Sequence, residues 1–265
     1  MPFLPAFLAL GALGALGVAS MIPTLGPALA LIRRQPGMAE RSDAALTLLV
    51  LAQPLVLVLV GAALGAGLAH RVGLTSLVAS LARGEPLPPA SLSSVVLALG
   101  LGFAAGVLVI GIDVAYKLVA VPGFREAAAK AAGAGAAMPL SQRAMALLYG
   151  GVAEEVMMRY GLMTLLAWLG AWLARGTFAD APGLVIWPAI ILTAILFGAG
   201  HLPKAASIAP LDASVVIRVI GLNAIAGLVY GWLYWRCSLE HAMLAHMATH
   251  AGFWIATPLA LRLLA

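Results

Sequence analysis

Seven long apolar stretches, parted by short polar connections, decide what this chain can become. A helix that crosses a bilayer needs about 20 predominantly apolar residues. Stretches of that kind run at roughly 3–32, 44–69, 91–118, 143–174, 187–209, 214–236 and 239–262. Inside hydrocarbon every backbone N–H and C=O must find its partner within the protein, which leaves only helices and closed barrels. No period-2 alternation recurs, so a barrel does not fit. Only 9% of the 265 residues are charged, against the ~25% of soluble domains. The expected fold is therefore all-α: a polytopic membrane protein, a bundle of seven or eight transmembrane helices with a polar intramembrane cavity. The eighth helix would come from Pro23 and Pro27, which fall inside the first stretch and can kink or split it.

The connections carry the second layer of information. "RRQPGMAERSD" (33–43) is polar and contains proline, as a short loop should. The longest non-spanning stretch, 119–142, contains "FREAAAKAAGAGAA", which reads as a short interfacial helix. The chain divides into N-terminal helices plus this segment, residues 1–139, and a C-terminal helical core, residues 140–265. Taking alternate loops, one side holds Arg33, Arg34, Arg41, Lys117, Arg125, Lys130, Arg143, Lys204, Arg218 and Arg262. The other holds Arg71, Arg83, Arg175 and Arg236. Basic residues flank spans on the cytoplasmic side, so the first set is cytoplasmic and the N-terminus external. A split first helix would move only the N-terminus. The formal charge of +5 belongs to this flanking pattern and gives no reason to expect a nucleic-acid partner. The single cysteine, Cys237, excludes an intrachain disulfide. The opening "MPFLPAFLALGALGALG" lacks a basic n-region and reads as a first span, not a cleaved signal. An alanine- and glycine-rich chain of this kind is expected in a bacterial inner membrane, as a multi-pass protein.

Polar residues inside the spans are the exceptions. Near the bilayer centre each Glu or Arg costs about 2.5–3.5 kcal/mol on insertion scales, so such residues face a cavity and are candidates for function. Asp113 and Lys117, four apart near a span end, suit a structural ion pair. "GGVAEEVMMRYG" in the fourth span is different. Glu155 and Arg159 are four apart and can neutralise each other on one helical face. Glu154 points about 100° away on an α-helix and has no partner at helical spacing, which makes it a candidate proton acceptor. Gly150, Gly151 and Ala153 thin the backbone beside it.

Two later spans add histidines. "ILFGAGHLP" places His201 four residues after Phe197, near the middle of a helix that Trp187–Pro188 would start. "LEHAMLAHMATHAG" places His246 and His250 four apart on one face, with His241 nearer the interface and read as structural. Two glutamates, an arginine and three deep histidines on three helices point to one shared polar cavity. Glutamate plus histidine can activate water, while other imidazoles stabilise negative charge on a carbonyl oxygen. That is amide hydrolysis without a covalent intermediate. No serine sits in a G-x-S-x-G setting. A zinc site built from His201, His246 and His250 is a rival, although no H-E-x-x-H occurs. A proton-relaying transporter or an immunity protein with a structural Glu/His core is the reading from a different class; no internal repeat supports transport.

"EEVMMR" (154–159), "FGAGH" (197–201) and "HMATH" (246–250) resemble, in order, the E-E-x-x-x-R, F-x-x-x-H and final histidine motifs of the CPBP family, the CAAX prenyl proteases and bacteriocin-processing enzymes also called Abi. The resemblance covers about residues 140–256. It implies an intramembrane glutamate-type endopeptidase acting on a membrane-associated protein or peptide, at a C-terminal CAAX-like or sorting tag or at a leader. It further implies that Glu154 with His201 activates water, that His246 with His250 forms the oxyanion site, and that Arg159 holds Glu155. No cofactor is expected on this reading. His250 departs from the asparagine usual in the CAAX proteases, which leaves its oxyanion role less secure and keeps the zinc reading open.

Overall fold

The computed structural model describes residues 2–134, 138–175, 183–208 and 210–264. Among them the chain is all-helical. Helix α1 (Phe3–Ala19) is followed by a 3₁₀ turn at Ile22–Thr24 and by α2 (Gly26–Ile32). Then come α3 (Asp43–Leu68), α4 (Leu77–Arg83), α5 (Leu92–Ala120) and α6 (Phe124–Ala134). The fourth span begins as α7 (Leu140–Met145), runs through two π-helical segments (Ala146–Glu154 and Val156–Met163) and ends as α8 (Thr164–Arg175). Helices α9 (Gly183–Gly200), α10 (Leu202–Ala206), α11 (Ala213–Arg236) and α12 (Leu239–Leu264) complete the chain.

Among the described residues, six segments are long and apolar enough to cross a membrane. Helix α12, with 26 residues, has the length but carries Glu240 and three histidines, which its neighbours cover. The prolines do split the first stretch, yet no eighth crossing results. Seven residues of α2 rise only about 10 Å, far short of a bilayer. The ends sort into two sides. Arg83 donates to the Pro2 carbonyl at 3.1 Å, and Leu239 N–H to the Thr75 carbonyl at 3.0 Å, so the N-terminus shares a side with residues 69–91 and 237–239. On the opposite side Thr24 meets Met145 and Tyr116 meets Ser214. The start of α9 differs from expectation. Helix α9 starts at Gly183, and Pro188 sits inside it; so close to the first turn, proline removes only one intrahelical bond. The expected interfacial helix forms as α6 over Phe124–Ala134, while residues 135–137 lie outside the described ones.

Glycine and alanine bring the helices close, as they must where lipid offers no hydrophobic drive for helix pairing. On α3, Gly61 lies under the Val156 carbonyl and Gly65 under the Tyr160 ring, seating the π-helical span. On α5, a Cβ at Gly102 would stand 2.0 Å from the Ala245 carbonyl oxygen. Thr249 of α12 also donates to the Gly102 carbonyl at 2.8 Å. Helix α5 thus fixes the helix that carries His246 and His250. Gly102→Val should destabilise the protein by about 3 kcal/mol, the upper end of overpacking costs, because the obstacle is backbone. Gly100 on the same helix faces open space, so Gly100→Val should stay within about 0.5 kcal/mol of wild type. Thermal unfolding in detergent checks the pair; equal melting temperatures would contradict the packing.

Candidate active site

In a π-turn each N–H bonds the fifth residue back, so the turn is wider and neighbouring side chains fan out by less than in an α-helix. The consequence is visible at the glutamate pair. Glu154 and Glu155, expected about 100° apart on an α-helix, approach different nitrogens of one imidazole. His246 Nδ1–H donates to Glu155 Oε1 at 2.7 Å, and His246 Nε2 lies 3.9 Å from Glu154 Oε2. An ionised carboxylate only accepts hydrogen bonds, so the Glu155 contact puts a proton on Nδ1 and turns Nε2 to the cavity.

Glu155 has a second partner. Arg159 Nη1 donates to the same oxygen at 3.1 Å, and both side chains are fully buried. The guanidinium also donates to the Gly227 carbonyl at 3.0 Å. It lies between Phe197, 4.9 Å away, and Tyr230, 5.1 Å away. Two aromatic faces and a carbonyl around one planar cation form a setting suited to Arg and not to Lys. Arg159 therefore ties the fourth span to α9 and α11. Phe197 lies edge-on to His201 and His246, so it spaces the two imidazoles.

His201 is not in the middle of a helix, as its sequence neighbourhood suggested. Helix α9 ends at Gly200 and α10 begins at Leu202, so His201 stands at the break. Pro203 in the first turn of α10 cannot supply the N–H that would continue α9. His201 Nδ1–H donates to the Phe197 carbonyl at 2.9 Å, which leaves Nε2 as an acceptor in the neutral ring. His250 stacks on His246 with ring centroids 5.2 Å apart, and its Nε2 is buried with no hydrogen-bond partner among the described residues. His241, read as structural, is buried and bonds Ser94 and Ser238. Asp113 and Lys117 pair at 2.7 Å, and Arg218 of α11 joins them at Asp113.

Glu154, His201, His246 and His250 line one cavity of about 590 Å³, together with Phe197 and Tyr230. Glu155 and Arg159 stand behind it. Asp113, Lys204, Arg218 and Asn223 also line it. An apolar groove between α5 and α11, lined by Ile112, Ile217 and Ile225, shares Arg218 and Leu222 with this cavity. Sequence reasoning missed Tyr230, whose ring stacks on His246 at 4.6 Å. Its only trace was the pair Gly227 and Gly231, spaced to pack α11 closely on α9. Among the described residues, no three His, Cys, Asp or Glu side chains converge as metal ligands would.

Gly150 lies where two of the imidazole rings meet the backbone. A Cβ there would lie 2.8 Å from His250 Nε2 and 3.4 Å from His246 Nε2, so both imidazole nitrogens converge over a residue without a side chain. An acceptor that reached both rings would have to approach over the Gly150 backbone. Gly150→Ala should therefore displace the His250 ring and lower turnover about 100-fold, comparable to losing one oxyanion donor, at a stability cost of about 1 kcal/mol, the low end of overpacking. Paired turnover and melting measurements check this; wild-type turnover would move the oxyanion position elsewhere.

Residues 136–252 match the family model Rce1-like, described as type II CAAX prenyl endopeptidase Rce1-like. All three motifs lie within the matched segment. No curated protein and no solved structure matches the chain.

Proposed function

We propose, on the premise that residues 136–252 belong to the Rce1-like family, that the cavity is the active site of an intramembrane endopeptidase. It hydrolyses one peptide bond of a membrane-associated protein or peptide. The observation that carries this reading is the convergence of Glu154, His201, His246 and His250 on one cavity with Gly150 at its floor.

A water held between the Glu154 carboxylate and His201 Nε2 gives its proton to Glu154 as its oxygen attacks the scissile carbonyl carbon. The carbonyl oxygen becomes an oxyanion over Gly150, where His246 and His250 donate from Nε2. Glu155 holds the His246 ring through Nδ1–H and balances its charge while both nitrogens are protonated, as a carboxylate does behind a catalytic imidazole. Glu154 then passes its proton to the departing nitrogen, the C–N bond breaks, and the products are a carboxylic acid and an amine, which exchange the remaining water proton to become carboxylate and ammonium. No acyl-enzyme and no metal takes part. The apolar groove beside Arg218 suits a substrate held in the bilayer, whose reactive segment enters the polar cavity from the side.

The test is a comparison of membrane-protein termini in cells with the wild-type protein and with the His201→Ala variant. New termini that appear only with the wild type support the reading. Identical termini, with the variant folded and inserted, oppose it.

A further inference from the structure

Three rings on α12 stand at four-residue spacing: His246, His250 and Trp254. Side chains four apart share one helical face, and here they stack. His250 lies on His246 with planes 19° apart, and on Trp254 at 6.4 Å between centroids with planes 26° apart. Tyr230 continues the column beyond His246, with planes 16° apart. A guanidinium caps each end: Arg159 Cζ is 5.1 Å from the Tyr230 ring, and Arg143 Cζ is 5.4 Å from the Trp254 ring. Arg143 stands on α7, half-buried, and its Nε has no hydrogen-bond partner among the described residues. The indole face is the partner the structure gives it.

The two imidazoles are held by different means. Glu155 fixes His246 in the plane of its ring at 2.7 Å. Among the described residues no side-chain hydrogen bond holds His250; its neighbours are His246, Trp254 and, edge-on, Phe253. The χ2 torsion of histidine has no sharp staggered wells, so only a flat neighbour can set the angle of this ring.

We propose that Trp254, braced by Arg143, is a positioning residue: it keeps the His250 ring stacked on His246, so that both Nε2 atoms face Gly150. Its effect on turnover rests on the endopeptidase reading; its geometry does not. Trp254 lies beyond the matched segment 136–252. Asparagine, usual at position 250 in the CAAX proteases, offers no ring to hold, so the clamp belongs to a chain with histidine there.

The test measures cleavage of a membrane-tethered reporter by full-length protein in lipid nanodiscs. Trp254→Leu should lower kcat about 10- to 100-fold, the effect of a misplaced catalytic group, with KM within about twofold. Trp254→Phe keeps an aromatic face and should stay within about threefold of wild type. In a His250→Asn background, which retains an N–H donor without a ring, Trp254→Leu should change kcat by less than about twofold. An equal loss in both backgrounds, or wild-type kcat in Trp254→Leu, overturns the proposal. A second arm needs no catalysis. With only the histidine rings labelled, the NMR cross-peak between His246 and His250 should vanish in Trp254→Leu and persist in Trp254→Phe. If Trp254→Leu does not fold, Arg143→Gln replaces it in both arms. It should weaken the cross-peak and lower kcat about 3- to 10-fold for a lost cation–π contact; wild-type values of both overturn the proposal. A full cross-peak in Trp254→Leu overturns it even if the wild-type protein cuts nothing. A lost cross-peak without wild-type cleavage leaves the clamp standing and removes the endopeptidase reading.

Discussion

Glu154→Gln is expected to reduce peptide-bond cleavage about 1,000-fold or more while leaving the melting temperature at its wild-type value. The two halves of that result have separate physical origins. Glutamine keeps the shape of the side chain but cannot take a proton from water, and a positioned general base contributes about 10²–10⁴ in rate. The structural cost is small because the Glu154 side chain is 18% exposed to the cavity and, among the described residues, holds no hydrogen bond. Activity and thermal unfolding in one detergent preparation check both halves. A variant that cuts at the wild-type rate would remove Glu154 from the chemistry.

The adjacent glutamate should behave in the opposite way. Glu155→Ala leaves the Arg159 guanidinium fully buried with only the Gly227 carbonyl and two ring faces around it. Breaking a buried ion pair from one side typically costs about 3–5 kcal/mol, enough to lower folded yield sharply in a marginally stable protein. The double variant Glu155→Met with Arg159→Met separates stability from function, since packed apolar replacements of a buried pair are often neutral or stabilising. Its melting temperature should return toward wild type, but turnover should not, because His246 Nδ1 has lost the oxygen that holds it at 2.7 Å. Recovery of turnover together with stability would reduce Glu155 to a partner for Arg159 alone.

The membrane class, the spans and the residues that share the cavity were readable because each follows from a local rule. Apolar length gave the spans, and the cost of charge in hydrocarbon singled out Glu154, Glu155, Arg159 and the histidines. What escaped was set by tertiary contacts. The π-helical turns across Ala146–Glu154 and Val156–Met163 have no sequence signature of the kind that caps or periodicity provide, and they narrow the angle between successive side chains. Glu155 was legible as the partner of Arg159 but not as the anchor of His246, because that contact spans 91 positions. Pro203 could have signalled that α9 stops at His201, since a proline disfavours a continuing helix just before it; Pro210 drew that boundary too late. Gly150 was visible as a thin spot in the backbone. Its place beneath two imidazole nitrogens required the fold.

The most direct test of the central claim is cleavage by purified protein in proteoliposomes. The substrate is a membrane-tethered reporter with a free C-terminus, the cut is read by mass spectrometry of both fragments, and bound metal is measured on the same sample. Wild-type protein should yield one pair of new termini at the same rate with and without a zinc chelator, and Glu154→Gln should yield none. One zinc per chain with loss of cleavage on chelation, or fragments that persist in Glu154→Gln, would contradict a glutamate-activated water as the nucleophile.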